Sequence, residues 1–219
     1  MLEFFLASGN LNKVAEFKKF FSKNKANFSV KEAPQKIDVL EDGSTYSENA
    51  YLKAKGYYDA LKKPVMSDDS GLEVLGLPGE LGIYSSRFGG GDLTDFDKVK
   101  YLLEKLKGLS GEKREAIFTC VLCFFLGPDE VFFFEGRLRG KISETIIGEK
   151  GFGYDPVFIP EEINEGSFEG FLEGKERIPD GPLSLASVPE WKANHSHRAK
   201  SCHGAVKFFK ERVCQSGRN

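Results

Sequence analysis

Residues 2–21 read LEFFLASGNLNKVAEFKKFF, and the spacing of their apolar side chains points to the fold class. Glu3 to Ala7 is a short apolar run of the length expected for a buried strand. Ser8-Gly9-Asn10 interrupts it. From about Asn12 the apolar residues Val14, Phe17 and Phe21 recur at helical spacing. A strand, a tight loop and a helix in direct succession form the unit from which α/β folds are built.

The alternation returns downstream. Thr45-Tyr46-Ser47-Glu48 has the capping-box pattern and opens a helix carrying Ala50, Lys53, Ala54, Tyr57, Tyr58 and Leu61, after which Pro64 opens a short strand to Ser67. Leu93 to Leu106 predicts a third helix, capped by Thr94 or Asp95, with Val99, Leu102, Leu103 and Leu106 on one face. Arg114 to Leu126 and Val131 to Ile142 predict two long strands joined by Gly127-Pro128-Asp129-Glu130, an antiparallel hairpin. A Gly/Pro/Glu-rich stretch then runs to Pro189. A final helix, capped by Ser196, buries Cys202, Ala205, Val206, Phe209 and Val213. The whole predicts an α/β fold on a mixed, strongly twisted β-sheet with flanking helices.

At 219 residues one domain, or two lobes of one domain, is the expected organisation. The 31 basic and 33 acidic residues leave a net charge of −2, so no domain-wide cationic field favours a nucleic-acid partner. Any phosphate must be gripped locally. The apolar stretch at the N-terminus lacks a positive flank and is too short for a signal peptide or a membrane span, so a cytoplasmic protein with no membrane partner is expected. Four cysteines in such a chain are expected to be free thiols. Cys120 and Cys123 form a C-x-x-C, but three residues along a strand point to opposite faces, which argues against a shared metal.

Four segments carry chemistry. Ser8-Gly9-Asn10-Leu11-Asn12-Lys13 places backbone N–H groups, a helix start and a lysine together, suited to an anion, though an ordinary capped helix would look the same. Ser67-Asp68-Asp69-Ser70-Gly71 puts two carboxylates at the end of a short strand, where clustered acids can hold a hard cation bridging phosphate oxygens or simply form a turn. Glu41 in the preceding loop is a further candidate. Gly151-Phe152-Gly153-Tyr154-Asp155-Pro156 offers an aromatic face and acceptors between glycines. Trp191-Lys192-Ala193-Asn194-His195-Ser196-His197-Arg198 gathers cationic and protonatable donors at a helix start.

Together these motifs resemble one family, the inosine triphosphate pyrophosphatases, which act on non-canonical purine nucleoside triphosphates. The resemblance rests on Ser8, Asn10 and Lys13, on Glu48 to Ala54, Asp68 to Leu72, Tyr84 to Arg87, Gly151 to Pro156, and Lys192 to Arg198, in order over nearly the whole chain. It implies a two-lobed α/β homodimer with the nucleotide in a central cleft, hydrolysing ITP, dITP or XTP to monophosphate and pyrophosphate with Mg2+. By position, Ser8, Gly9, Asn10, Leu11, Asn12 and Lys13 would hold the triphosphate, and Glu41 and Asp69 the magnesium. Asp69 would also accept the proton of the attacking water, with Lys53 and Ser70 on phosphate. Phe152 would stack on the base in a pocket shaped by Gly153, Tyr154 and Asp155, while Lys192, His197 and Arg198 would read the purine edge.

Gly79-Glu80-Leu81-Gly82 departs from the family's usual G-x-P-G, His195 is an extra imidazole, and the segment between Phe158 and Lys192 is longer than usual. Two rivals stay open at this level. One is a related pyrophosphatase of Maf-like type acting on modified pyrimidine nucleotides, and the other a nucleotide-binding module without turnover.

Overall fold

The computed structural model describes residues 2–90, 92–164 and 181–216, without the side chains of 164 and 213–216. Strand β1 (Leu2–Ala7) pairs in parallel with β2 (Phe28–Glu32) on one side and β3 (Val65–Val74) on the other, with Phe4 opposite Val30 and Leu6 opposite Met66. Phe4, Leu6 and Ala7 are at most 1% exposed, as an apolar strand covered on both faces requires. Helix α1 (Leu11–Lys23) starts just before the expected position: Asn10 stays extended and its side chain accepts from the N–H groups of Asn12 and Lys13. Helix α2 (Tyr46–Leu61) begins with the expected capping box between Thr45 and Glu48.

The short strand expected to end at Ser67 instead runs ten residues, so Asp68 and Asp69 lie mid-strand rather than in a turn. Gly71 is not a bend. A Cβ there would lie 2.0 Å from the carbonyl oxygen of Gly82, so glycine is required for close approach inside the strand.

Strands β4 (Glu115–Gly127) and β5 (Glu130–Ile142) are sheet neighbours joined by two residues, which only an antiparallel hairpin allows. Strand β6 (Phe158–Pro160) pairs antiparallel with β5, completing a mixed six-stranded sheet in the order β2-β1-β3-β4-β5-β6. Helix α3 (Asp95–Lys105) is capped by Thr94, whose hydroxyl accepts from the Asp97 N–H. The short helix α4 (Glu161–Asn164) follows β6, and α5 (Pro189–His195), which the sequence did not suggest, precedes α6 (His197–Ser216). Ser196 caps α6 by accepting from the Ala199 N–H. Cys202, Ala205, Val206 and Phe209 are buried as expected, whereas the side chain of Val213 and residues 165–180 of the long Gly/Pro/Glu-rich segment lie outside the described residues.

The chain divides into two compact units. The first (1–70, 120–137 and 194–219) carries two cores. One is largely aromatic, joining Phe4, Phe17, Phe28, Phe124 and Phe209 with Met66 and Cys120. The other joins Ala7, Ala50, Ala54 and Tyr57 of α2 with Val65, Val121 and Cys123. Cys120 and Cys123 thus fall in different cores, as strand alternation demands, and both are free thiols. The second unit (71–119 and 138–193) packs Leu72, Leu102, Leu138, Phe158 and Trp191. Among the described residues no helix is long and apolar enough to cross a membrane.

Candidate active site

In the first unit, alternation along β3 separates the two aspartates by face. Asp68, on the face of Met66, is 1% exposed and accepts from Lys13 Nζ at 2.7 Å. Burial alone would raise its pKa, but the charges of Lys13, Lys53 and Arg198 outweigh that and hold it below the ordinary value. Asp69 turns toward α2, where its Oδ2 accepts from Asn49 Nδ2 at 3.3 Å and its Oδ1 from the Ser70 N–H at 3.0 Å. Among the described residues no cation forms an ion pair with it. Burial therefore dominates and pushes its carboxyl up to about 6, with Lys53 and Lys13 offsetting only part.

Lys53 reaches from α2 to the Glu41 carboxylate at 2.7 Å and donates to the Asp68 carbonyl at 2.9 Å. Desolvation would lower its pKa, yet Asp68, Glu41 and Asp69 together raise it, so the ammonium is firmly charged. Arg198, in the first turn of α6, pairs with Glu16 at 2.6 Å and donates to Ser70 Oγ at 3.4 Å. Burial alone would lower its pKa, but the carboxylates of Glu16 and Asp68 outweigh that and raise it. His197 is buried beside it, and a Cβ on Gly136 of β5 would lie 2.1 Å from the His197 carbonyl. That glycine seats the start of α6 against the strand. Of the first loop, Lys13 joins this group; the Asn10 side chain occupies the N–H groups of Asn12 and Lys13, Ser8 Oγ accepts from the Asn10 N–H, Gly9 is exposed, and the Leu11 side chain is 78% exposed.

In the second unit, Asp155 is 3% exposed, and its Oδ2 accepts from the Phe152 N–H at 2.9 Å and from Lys192 Nζ at 2.6 Å. The same ammonium lies 4.5 Å from the centre of the Phe152 ring. Gly151 has φ +86°, and a Cβ there would meet the Asp155 carboxylate at 2.2 Å. The Gly153 N–H donates to Asp95 and the Tyr154 hydroxyl to the Ser85 carbonyl, so Tyr154 braces the loop rather than offering a free hydroxyl. In the departure from the family pattern, Gly79 and Gly82 both have positive φ and Leu81 is buried, so the two glycines keep their turn-forming role.

The residues expected to read a purine edge therefore divide: Lys192 belongs with Phe152 and Asp155, and Arg198 with Glu16, Ser70 and Asp68. Asn49 and Glu16 escaped the sequence reading. For Glu16 a signal existed, because it stands three residues after Lys13 on the same helix.

Glu41 and Asp69 are hard oxygen donors. Magnesium is commonly held by one or two carboxylates with water and substrate phosphate completing the shell, so this pair fits. Among the described residues no cluster of three or more His, Cys, Asp or Glu is placed to hold a metal.

Residues 4–208 match the model of the Ham1 family. The chain belongs to the Ham1 family. It is 37% identical over 220 residues to a dITP/XTP pyrophosphatase of Geobacillus kaustophilus, covering 100% of this chain and 99% of that protein. With a dITP/XTP pyrophosphatase of Staphylococcus aureus it shares 41% identity over 179 residues, 81% of this chain and 90% of that one. Among solved structures it is similar to the Staphylococcus aureus Ham1 protein, with TM-score 0.75, 35% identity, and coverage of 96% and 99%. A HAM1 protein from Coxiella burnetii gives TM-score 0.77, 28% identity, and coverage of 96% and 100%. These Ham1 likenesses extend over the mixed sheet and its flanking helices.

Proposed function

We propose that this Ham1 protein hydrolyses deaminated purine nucleoside triphosphates (ITP, dITP and XTP) to the monophosphate and pyrophosphate, with magnesium as cofactor. The observation that carries the proposal is the pair on β3: Asp68 locked as a carboxylate between cations, and Asp69 beside it, half-buried, with no ion pair among the described residues and its carboxyl pushed up to about 6. A carboxylate poised near the working pH can take a proton from an attacking water, and neighbouring carboxylates whose environments push their pKa values apart mark divided roles. Lys13, Lys53 and Arg198 are the charges available to the triphosphate; positioning and charge neutralisation supply most of the catalysis in phosphoryl transfer. When bound at Glu41 and Asp69, magnesium would neutralise the pyrophosphate that leaves.

Phe152 offers a stacking face for the base. The Asp155 Oδ2 is taken up by Phe152 and Lys192, so this carboxylate acts to fix the ring. Hypoxanthine and xanthine carry an oxygen at position 6 where adenine carries an amino donor, so a donor such as Lys192, beside Phe152, would disfavour ATP. A site made to bond one group can exclude an analogue lacking it by roughly 10⁴-fold. Guanine differs at position 2, where a protein donor would oppose its amino group and pair with the xanthine oxygen.

The relatives' names support the substrate class. A homodimer in the cytoplasm, with no nucleic acid bound, completes the proposal. The test is pyrophosphate release from ITP, dITP, XTP, ATP and GTP with and without magnesium. ATP or GTP within about tenfold of ITP in kcat/KM, or roughly 1.4 kcal/mol, would refute the edge-reading scheme.

A further inference from the structure

Asn49 is out of place on stability grounds. It sits on the buried face of α2 with Ala50 and Ala54, is 3% exposed, and has a poor helix propensity where an alanine would serve better. A buried amide is tolerated when both its ends are bonded, and here they are. Its Oδ1 accepts from the Gly43 N–H at 2.8 Å and its Nδ2 donates to Asp69 Oδ2 at 3.3 Å. The reversed amide would set an oxygen against a carboxylate and an NH2 against an N–H, so the orientation is fixed. The loop packs tightly on this group: a Cβ on Gly43 would lie 2.8 Å from Asn49 Oδ1 and 2.6 Å from Glu48 Cβ. One turn further along the same helix, Lys53 holds the Glu41 carboxylate.

We infer that Asn49 is a positioning residue that sets both cation ligands through the two ends of one amide, Asp69 directly and Glu41 through the backbone of its loop. The inference rests on the assignment of Glu41 and Asp69 as cation ligands. Glu48 also ties the loop to α2, accepting from the N–H groups of Ser44 and Thr45, so the loop survives loss of Asn49 with its register loosened. Asp69 has less in reserve. Without Asn49 its Oδ2 loses its side-chain donor, and the carboxylate keeps the Ser70 N–H on Oδ1 but is less tightly oriented.

The experiment compares wild type with Asn49→Leu and Asn49→Ser, the smaller change guarding against a folding defect, with folding checked by circular dichroism and melting. Mn2+, as a hard divalent probe, is titrated by electron paramagnetic resonance at pH 7.5 without nucleotide. Loss of an outer-shell partner typically weakens a metal site roughly 10–100-fold, and that rise in the Mn2+ dissociation constant is expected of both folded variants. kcat for ITP should fall by a similar factor, while KM at saturating magnesium moves by less than about threefold. A lowered melting temperature with Mn2+ affinity within about twofold of wild type, the mark of a structural role, would overturn the inference. Should wild type bind no Mn2+ and release no pyrophosphate from ITP, the ligand assignment itself fails, visibly in wild type alone, and the role of Asn49 falls with it.

Discussion

Replacing Asp69 by asparagine should stabilise the metal-free protein at neutral pH while abolishing its turnover. The carboxyl is pushed from an ordinary 3.8 up to about 6 in the fold. An acid with a raised folded pKa binds its proton more tightly folded than unfolded, so ionisation opposes folding. The penalty is absent below the unfolded pKa, near 4, grows between 4 and 6, and is complete above about 6. About two pKa units at 1.36 kcal/mol each amount to about 3 kcal/mol. Asparagine mimics the protonated carboxyl, with one acceptor oxygen and one donor, so the variant escapes this penalty at every pH. At 2–4 °C per kcal/mol for a chain of this size, its melting temperature should exceed that of wild type by roughly 6–12 °C at pH 8, with the gap closing towards pH 4.5. The assay is differential scanning fluorimetry in EDTA across that range, paired with pyrophosphate release in magnesium. A variant no more stable than wild type at pH 8, or a gap independent of pH, would refute the electrostatic account of Asp69. Retention of more than about a tenth of wild-type kcat, a loss of only ~1.4 kcal/mol, would refute its catalytic assignment.

Because a proton and a cation compete for Asp69, Mn2+ affinity should fall about tenfold per pH unit below about 6, as read by titration at pH 5, 6 and 7.5. Lys13→Ala should weaken ITP far more than IMP by calorimetry, since the proposal sets its ammonium, paired with Asp68, on the phosphates; equal losses would contradict that assignment. Lys192→Ala removes an ion pair from the buried Asp155, and should lower stability in urea unfolding at pH 7.5, besides weakening base selectivity. Gly136→Ala drives a methyl into the His197 carbonyl; a cost of about 1–3 kcal/mol and a raised KM for ITP are expected as Arg198 shifts with the first turn of α6.

The parallel strands and capped helices were legible because each signal is local. Thr45 and Glu48 cap α2 whatever surrounds them, and the Val14, Phe17, Phe21 stripe is apolar at helical spacing in any context. The length of β3 was not legible. Asp68, Asp69, Ser70 and Gly71 are turn-forming by propensity, and they stay extended because Lys13 neutralises Asp68, Lys53 donates to the Asp68 carbonyl and the Gly82 carbonyl packs on the glycine, all contacts distant in sequence. The division of Lys192 from Arg198 was hidden for the same reason. Only five residues separate them, but one answers to Asp155 and the other to Glu16. Asn49 was overlooked because an amide inside a motif carries no charge to draw attention.

The extension of β3 through the acids is also what gives them different chemistry. Were they in a turn, one of the two readings the sequence left open, both carboxylates would be solvated and would titrate alike near 4. In a strand, adjacent side chains must point to opposite faces, so one backbone segment delivers two carboxyl groups into two environments. Asp68 enters the face where α1 and α6 bring Lys13 and Arg198, and it is held ionised. Asp69 enters the face of α2, where it meets an amide and a backbone N–H but, among the described residues, no ion-pair partner, and its carboxyl is pushed up to about 6. The charge on Asp68 fixes the Lys13 ammonium, which the proposal places on the phosphates. The unbalanced site of Asp69 is where a divalent cation gains most, because binding there relieves the burial penalty that the fold has imposed on that carboxylate.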